Sequence, residues 1–220
     1  MGVSPASLDR SFRESIRSGY NNAVAFLTLS LLGALATVPV ATVGHAVFGV
    51  TYAVGVILAR GTPHTAREAA GLFAEGVRRN AATGALLTAA IAVAGAVLAG
   101  NVLVITSPSA AVALVALAVV STALIAAGLV VLVVAVALVA CGQSVRAGVR
   151  DAAVLVASNP GYALVIGLVV ASLLALGALT LGVGWAVVGF SFTAGFVLLA
   201  TAHAYEERAG ENPLEALAGE

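Results

Sequence analysis

The sequence predicts an all-α integral membrane protein, with six transmembrane helices, short amphipathic cytoplasmic helices and both termini in the cytoplasm. The first observation is composition: of 220 residues, 61% are hydrophobic and 9% are charged, and the mean hydropathy is +1.10. Soluble globular chains are about 45–50% apolar and about 25% charged. The second observation is that the charges cluster between long uncharged stretches. Because six or seven spans of about 20 residues would use most of this length, we expect no separate soluble catalytic domain.

Turn-forming residues divide the uncharged stretches into six predicted spans. Pro39 breaks the first stretch, Ser107-Pro108-Ser109 the second and Gly182-Val183-Gly184 the third, because proline and glycine interrupt helices. The spans are expected at 20–38, 40–59, 81–105, 110–140, 162–183 and 185–203. The fourth would reach roughly 46 Å against a hydrocarbon core of about 30 Å. We therefore expect it to tilt, bend near Gly128 or project into the cytoplasm.

These spans define three regions: a cytoplasmic amphipathic helix (1–19), a six-helix transmembrane domain (20–205) and an acidic cytoplasmic tail (206–220). The basic residues flank the spans on one side (Arg10, Arg13, Arg17, Arg60, Arg67, Arg78, Arg79, Arg146, Arg150 and Arg208). The opposite loops carry no charge. The positive-inside rule therefore predicts a plasma-membrane protein with both termini in the cytoplasm. The alternative for the first span is a signal peptide ending at Ala34-Leu35-Ala36, whose cleavage would leave five spans.

Three cytoplasmic segments are predicted to be amphipathic helices that do not cross the membrane. In the first, Leu8, Phe12 and Ile16 recur every fourth residue among charged neighbours, a pattern typical of a helix in the headgroup plane. The second begins with a Thr65-x-x-Glu68 capping box. Its predicted apolar stripe follows (Ala66, Ala69, Ala70, Phe73 and Val77). The third runs over residues 144–158.

The segment 27–80 resembles a known family. An apolar helix is followed by Val38-Pro39-Val40-Ala41-Thr42-Val43-Gly44, a second apolar helix with Tyr52, a segment with Phe73, and Arg78-Arg79-Asn80. This arrangement looks like the YesL-like family of multispan membrane proteins of unknown function. The resemblance implies the same layout over nearly the whole chain, no catalytic residues, and a link to carbohydrate uptake, because members are often encoded beside such systems. Pro39, Thr42 and Gly44 would form the family-type external turn, with Thr42 capping the second helix.

Few residues are candidates for a functional site. No Asp, Glu, Lys or Arg lies inside the predicted spans, which argues against ion-coupled transport. His45 and Tyr52 share a face of the second span and are candidates to line a polar vestibule. The alternative is that His45 is an interfacial histidine bonded to a carbonyl or water. Arg78 and Arg79 precede the third span and are candidates to contact anionic lipid headgroups.

The sequence predicts no catalytic constellation, no metal site, no cofactor and no nucleic-acid partner. The single cysteine, Cys141, excludes an intramolecular disulfide, and three scattered histidines give no metal-ligand spacing. We therefore expect an accessory or interaction component of the membrane rather than an enzyme, with the lipid bilayer, anionic headgroups and other membrane proteins as partners.

The alternative function is a transporter or channel subunit for an uncharged small solute. It is motivated by Ser, Thr and Asn residues within the spans and by an internal similarity, Arg67-Glu68-Ala69-Ala70 to Arg150-Asp151-Ala152-Ala153. That similarity is either a duplicated unit or a coincidence in an Ala-rich chain. A water-lined passage would favour transport, and a closely packed bundle would favour the accessory role.

Overall fold

The computed structural model describes residues 5–61, 64–179 and 189–218, and these residues form helices and turns without strands. The all-α class is therefore confirmed for this part of the chain. The helices are α1 (Pro5–Asn21), α2 (Ala23–Thr37), α3 (Val43–Arg60), α4 (Ala66–Arg79), α5 (Ala81–Thr106), α6 (Val112–Ala140), α7 (Val145–Ser158), α8 (Pro160–Leu179), α9 (Phe190–Ala209) and α10 (Glu215–Ala218), with a 3₁₀ turn at Val40–Thr42.

Three described helices, α3, α5 and α6, are long and apolar enough to cross a membrane. The count rises to five if two sharply bent pairs each form one span: α1 with α2, bent by 97°, and α7 with α8, bent by 108°. These helices fit a membrane protein. The predicted boundary between the last two spans, at 182–184, lies outside the described residues.

Within the predicted span at 20–38, the structure interrupts the helix at Asn22. The amphipathic helix α1 continues to Asn21, and α2 has only 15 residues, or about 22 Å against the roughly 30 Å hydrocarbon core. Asn22 makes the bend. Its amide nitrogen donates to the Ser18 carbonyl at 3.2 Å, and its amide oxygen accepts from the His64 backbone N–H at 3.2 Å. One side chain thus caps α1 and ties the bend to the α3–α4 loop.

Helix α3 is the centre of the bundle and packs against α2, α4, α5, α6, α9 and α10. Residues 48–57 are all buried. Glycines allow this crowding on several faces: Gly49 lies against Phe73 of α4, and Gly55 lies against Leu217 of α10. A helix that is apolar on every side is suited to such a central position.

Helix α4 runs back along α3. Gly49 meets Phe73, and Gly76 packs on Tyr52, so the α4–α5 junction lies beside the middle of α3 rather than at its end. The start of α5 then meets the start of α3, because the Gly44 backbone N–H donates to Thr88 at 2.9 Å. Six upright, alternating crossings would put these two ends on opposite faces of the bilayer. In the structure these two ends lie side by side.

Helices α5 and α6 form a long hairpin that projects from the bundle. Side chains between residues 92 and 128 are mostly exposed, whereas residues 134–140 of α6 and the following Cys141 are buried. Asn101 donates to Ser121 at 2.7 Å and to Thr122 at 3.0 Å across the hairpin. Helix α6 is continuous through Gly128. The extra length predicted for the fourth span is thus used to dock its last two turns into the bundle.

The C-terminal segment is not the solvated extension that the acidic composition predicts. Leu214 and Leu217 are buried in the main hydrophobic core, and Gly55 leaves room for the Leu217 side chain against α3. The reason is that Leu214, just before α10, and Leu217, three residues later on α10, both face the bundle. The acids between residues 206 and 215 remain exposed.

Candidate functional site

A polar cavity of about 360 Å³ lies where the α4–α5 junction meets the α6–α7 junction. Leu217 of α10 closes one side of the cavity. Its polar lining comes from four segments of the chain (Tyr52, Arg79, Asn80, Thr83, Gln143 and Ser144). Both junctions are points where an apolar helix meets a charged one. The cavity thus lies at the level where the surface of the molecule changes from apolar to polar.

Arg79 supplies the charge of this cavity. Its guanidinium lies over the Tyr52 ring, 5.2 Å from the centroid, a cation–π geometry. Arg79 and Arg78 both donate to Glu75, at 2.7 and 2.8 Å. The hydrogen bond from Arg79 holds the pKa of Glu75 below its usual range, with a further contribution from the charge of Arg78. Two guanidiniums thus share one carboxylate.

Gln143 brings an unused acceptor to the cavity. Its side-chain oxygen is buried and has no hydrogen-bond partner among the described residues. A buried acceptor without a partner costs free energy unless a bound molecule or water satisfies it. Cys141, just beyond the end of α6, also lines the cavity and is buried.

An apolar groove of about 80 Å³ adjoins the polar cavity. The two share Thr83, Val139 and Val145 in their walls. From there the groove follows α5 and α6 past Leu86 and Ala90. A polar chamber that continues into an apolar channel matches a ligand with a polar end and a hydrocarbon chain.

In the predicted external turn, Thr42 and Gly44 do not have the roles that were expected. Thr42 does not cap the N-terminus of α3 with its side chain. Its hydroxyl instead donates to the carbonyls of Ala36 and of Pro39, the latter at 2.9 Å, so it satisfies the C-terminal end of α2. Gly44 is not part of the turn. It lies in α3, where a Cβ would be 2.0 Å from the Gly84 carbonyl oxygen.

His45 and Tyr52 contact different helices. The His45 ring lies against Gly84 of α5, whereas Tyr52 lies under Gly76 and Arg79 of α4. His45 Nδ1 is buried, with no hydrogen-bond partner among the described residues. Gly84 packs on His45 and Gly76 packs on Tyr52, so this face of α3 is covered at both positions. Of the two residues, only Tyr52 lines the polar cavity.

The structure also assembles a serine, a histidine and a carboxylate that sequence reasoning missed. Ser11 Oγ lies 2.8 Å from His203 Nδ1, and His203 Nε2 lies 3.6 Å from Glu14. Ser11 is fully buried and donates its proton to the Ser7 carbonyl at 2.8 Å. These contacts join α1 to α9. The sequence signal was serine at every fourth position (Ser7, Ser11 and Ser15).

No metal-ligand cluster of three or more His, Cys, Asp or Glu residues occurs in the described part of the chain. No family model matches the sequence, and neither the curated proteins nor the solved structures contain a match. A proposal of function therefore depends on the geometry of the described residues.

Proposed function

We propose that this chain is an accessory or interaction component of the plasma membrane, not an enzyme, with several crossings and both termini in the cytoplasm. The single observation that supports the accessory role is the internal pairing of polar groups between the apolar helices. Ser30 and Ser191 are 3.1 Å apart, and Ser191 also donates to the Phe26 carbonyl at 2.8 Å. Thr88 bonds both Gly84 and Gly44. Such hydrogen bonds hold membrane helices together, as expected for a closely packed bundle.

The YesL-like resemblance, the link to carbohydrate uptake and the count of six crossings remain predictions within this proposal. The alternative, a transporter or channel subunit for an uncharged solute, has one observation in its favour. The polar cavity places Tyr52, Asn80, Thr83 and Gln143 around one space large enough for a small molecule.

Uptake of a panel of neutral sugars by vesicles containing the full chain separates the two functions. The accessory role predicts a flux equal to that of protein-free vesicles. A saturable sugar flux that Ser30→Val alters and Thr28→Val does not would contradict it. Thr28 is a matched control because, among the described residues, its hydroxyl bonds only the Val24 carbonyl of its own helix.

A further inference from the structure

We propose that an apolar cavity beside Thr51 binds a small hydrophobic molecule, an aromatic ring that carries one hydroxyl or carbonyl group. The cavity lies between α3, α5, α6, α8 and α9 and shares no lining residue with the polar cavity described above. A ligand of this kind goes beyond the accessory role, which assigns no bound molecule to the chain.

The volume of the apolar cavity sets the size of its ligand. It is about 200 Å³. An engineered protein cavity of about 150 Å³, lined by leucine, isoleucine and phenylalanine side chains, stays free of water and binds benzene. The apolar cavity therefore has room for a benzene ring with a small substituent, but not for a whole phospholipid.

The lining of the apolar cavity favours a hydrophobic molecule over water. It is drawn from hydrophobic side chains of five helices (among them Val50, Leu87, Val133, Val170 and Phe190). Its polar side chains are those of Thr51 and Thr193, and Thr193 donates to the Gly189 carbonyl at 2.5 Å. A buried water needs about two to four polar partners. Water is therefore poorly held here, whereas an apolar ring gains free energy by leaving water for this space.

Thr51 supplies the polar contact of the apolar cavity. Its side chain is only 6% exposed and lines the space. Among the described residues its hydroxyl has no hydrogen-bond partner, whereas Thr28, Thr88 and Thr122 each donate to a carbonyl one turn earlier in their own helix. A buried hydroxyl without a partner costs free energy. A ligand hydroxyl or carbonyl beside Thr51 would remove that cost, so Thr51 selects a ring that carries such a group.

The apolar cavity lies next to the surface from which a hydrophobic ligand would arrive. Ile91 of α5 and Leu129 of α6 line it. Each is adjacent in sequence to the projecting part of the α5–α6 hairpin, residues 92–128, whose side chains are mostly exposed. Hydrophobic molecules leave water for hydrocarbon, so the bilayer around this hairpin would concentrate the ligand beside the cavity.

The test titrates the purified full chain in detergent with 4-fluorophenol or fluorobenzene and measures the bound fraction by fluorine NMR. We expect both probes to bind the wild type. Thr51→Val keeps the shape of the side chain and removes its hydroxyl, so it should weaken 4-fluorophenol binding about fivefold, as for the loss of one hydrogen bond. The same variant should leave fluorobenzene binding unchanged. Thr28→Val, whose hydroxyl bonds the Val24 carbonyl, should leave the binding of both probes unchanged.

A second pair of variants tests the volume of the apolar cavity without touching Thr51. Ala194 lines the cavity, whereas Ala127 is exposed on α6 and lies outside the lining. Ala194→Leu should abolish the binding of both probes because its side chain fills the space, and Ala127→Leu should not, even if Thr51→Val fails to fold.

Three results would overturn the proposal. The first is an equal effect of Thr51→Val on the two probes, and the second is probe binding retained by Ala194→Leu. The third is a phospholipid that co-purifies with the wild type and is lost only from Ala194→Leu, which would assign the cavity to an acyl chain instead.

Discussion

Glycine decides how closely the helices around α3 approach one another. At Gly44 a Cβ would lie 2.0 Å from a backbone oxygen of α5, and at Gly76 it would lie 2.8 Å from the Tyr52 Cβ. Backbone atoms cannot move aside as the end of a long side chain can. These positions therefore set the spacing of α3, α4 and α5, and with it the shape of the polar cavity.

Gly44→Ala should destabilise the protein by about 1–3 kcal/mol or more, because a helix must shift to admit the methyl group. Gly95→Ala is the matched control: Gly95 is also helical, and no atom lies within 4 Å of its added Cβ, so it should be neutral or slightly stabilising. Thermal unfolding in detergent measures both. Equal effects of the two substitutions would show that the Gly44–Gly84 contact does not form.

Glu75 should make stability depend on pH. Its pKa is held below the usual range by Arg79 and then by Arg78, so its contribution is present above the ordinary carboxyl pKa and is lost as the pH falls through the lowered value. Glu75→Gln should therefore flatten the loss of melting temperature on acidification. Glu211→Gln, at an exposed acid near the C-terminus, should not. A wild-type acid profile retained by Glu75→Gln would contradict the ion pairs.

At the level of elements, the sequence predicted the character of each helix better than its position in the bundle. The Thr65–Glu68 capping box is confirmed, with both reciprocal bonds formed, because a cap depends only on neighbouring residues. The return of α4 along α3 could not be predicted, since periodicity identifies an apolar face but not the helix that covers it. The same limit hid the cavity, whose Arg79 and Gln143 are brought together only by tertiary packing.

The packing of α10 on the bundle is a second feature that the composition did not predict. Leu217 is 2% exposed and lies against Gly55. Leu217→Ala should cost about 2–5 kcal/mol, as for other buried leucines, whereas Leu103→Ala, on the exposed part of α5, should cost much less. Melting temperatures of the two variants provide the comparison. A solvated C-terminal tail would instead make Leu217→Ala the milder change.

At the scale of the whole molecule, the charged residues and the exposed apolar side chains occupy different parts of the structure. Within the described chain, the charged residues lie on α1, α4, α7, α9, α10, the last residue of α3 and the turn before α10, whereas the projecting part of the α5–α6 hairpin carries no charge over residues 92–128. Its exposed leucines and valines are unfavourable in water and favourable in lipid. This contrast predicts a hairpin that crosses the bilayer with its charged base in the cytoplasm.

The most direct test of this account is the accessibility of single cysteines in intact cells, in a Cys141→Ala background. Gly71→Cys on α4 and Ser109→Cys at the tip of the α5–α6 hairpin are both exposed positions. With a membrane-impermeant maleimide, we predict labelling of Ser109→Cys in intact cells and of Gly71→Cys only after permeabilisation. Labelling of Gly71→Cys in intact cells, or protection of Ser109→Cys until permeabilisation, would contradict the proposed membrane orientation.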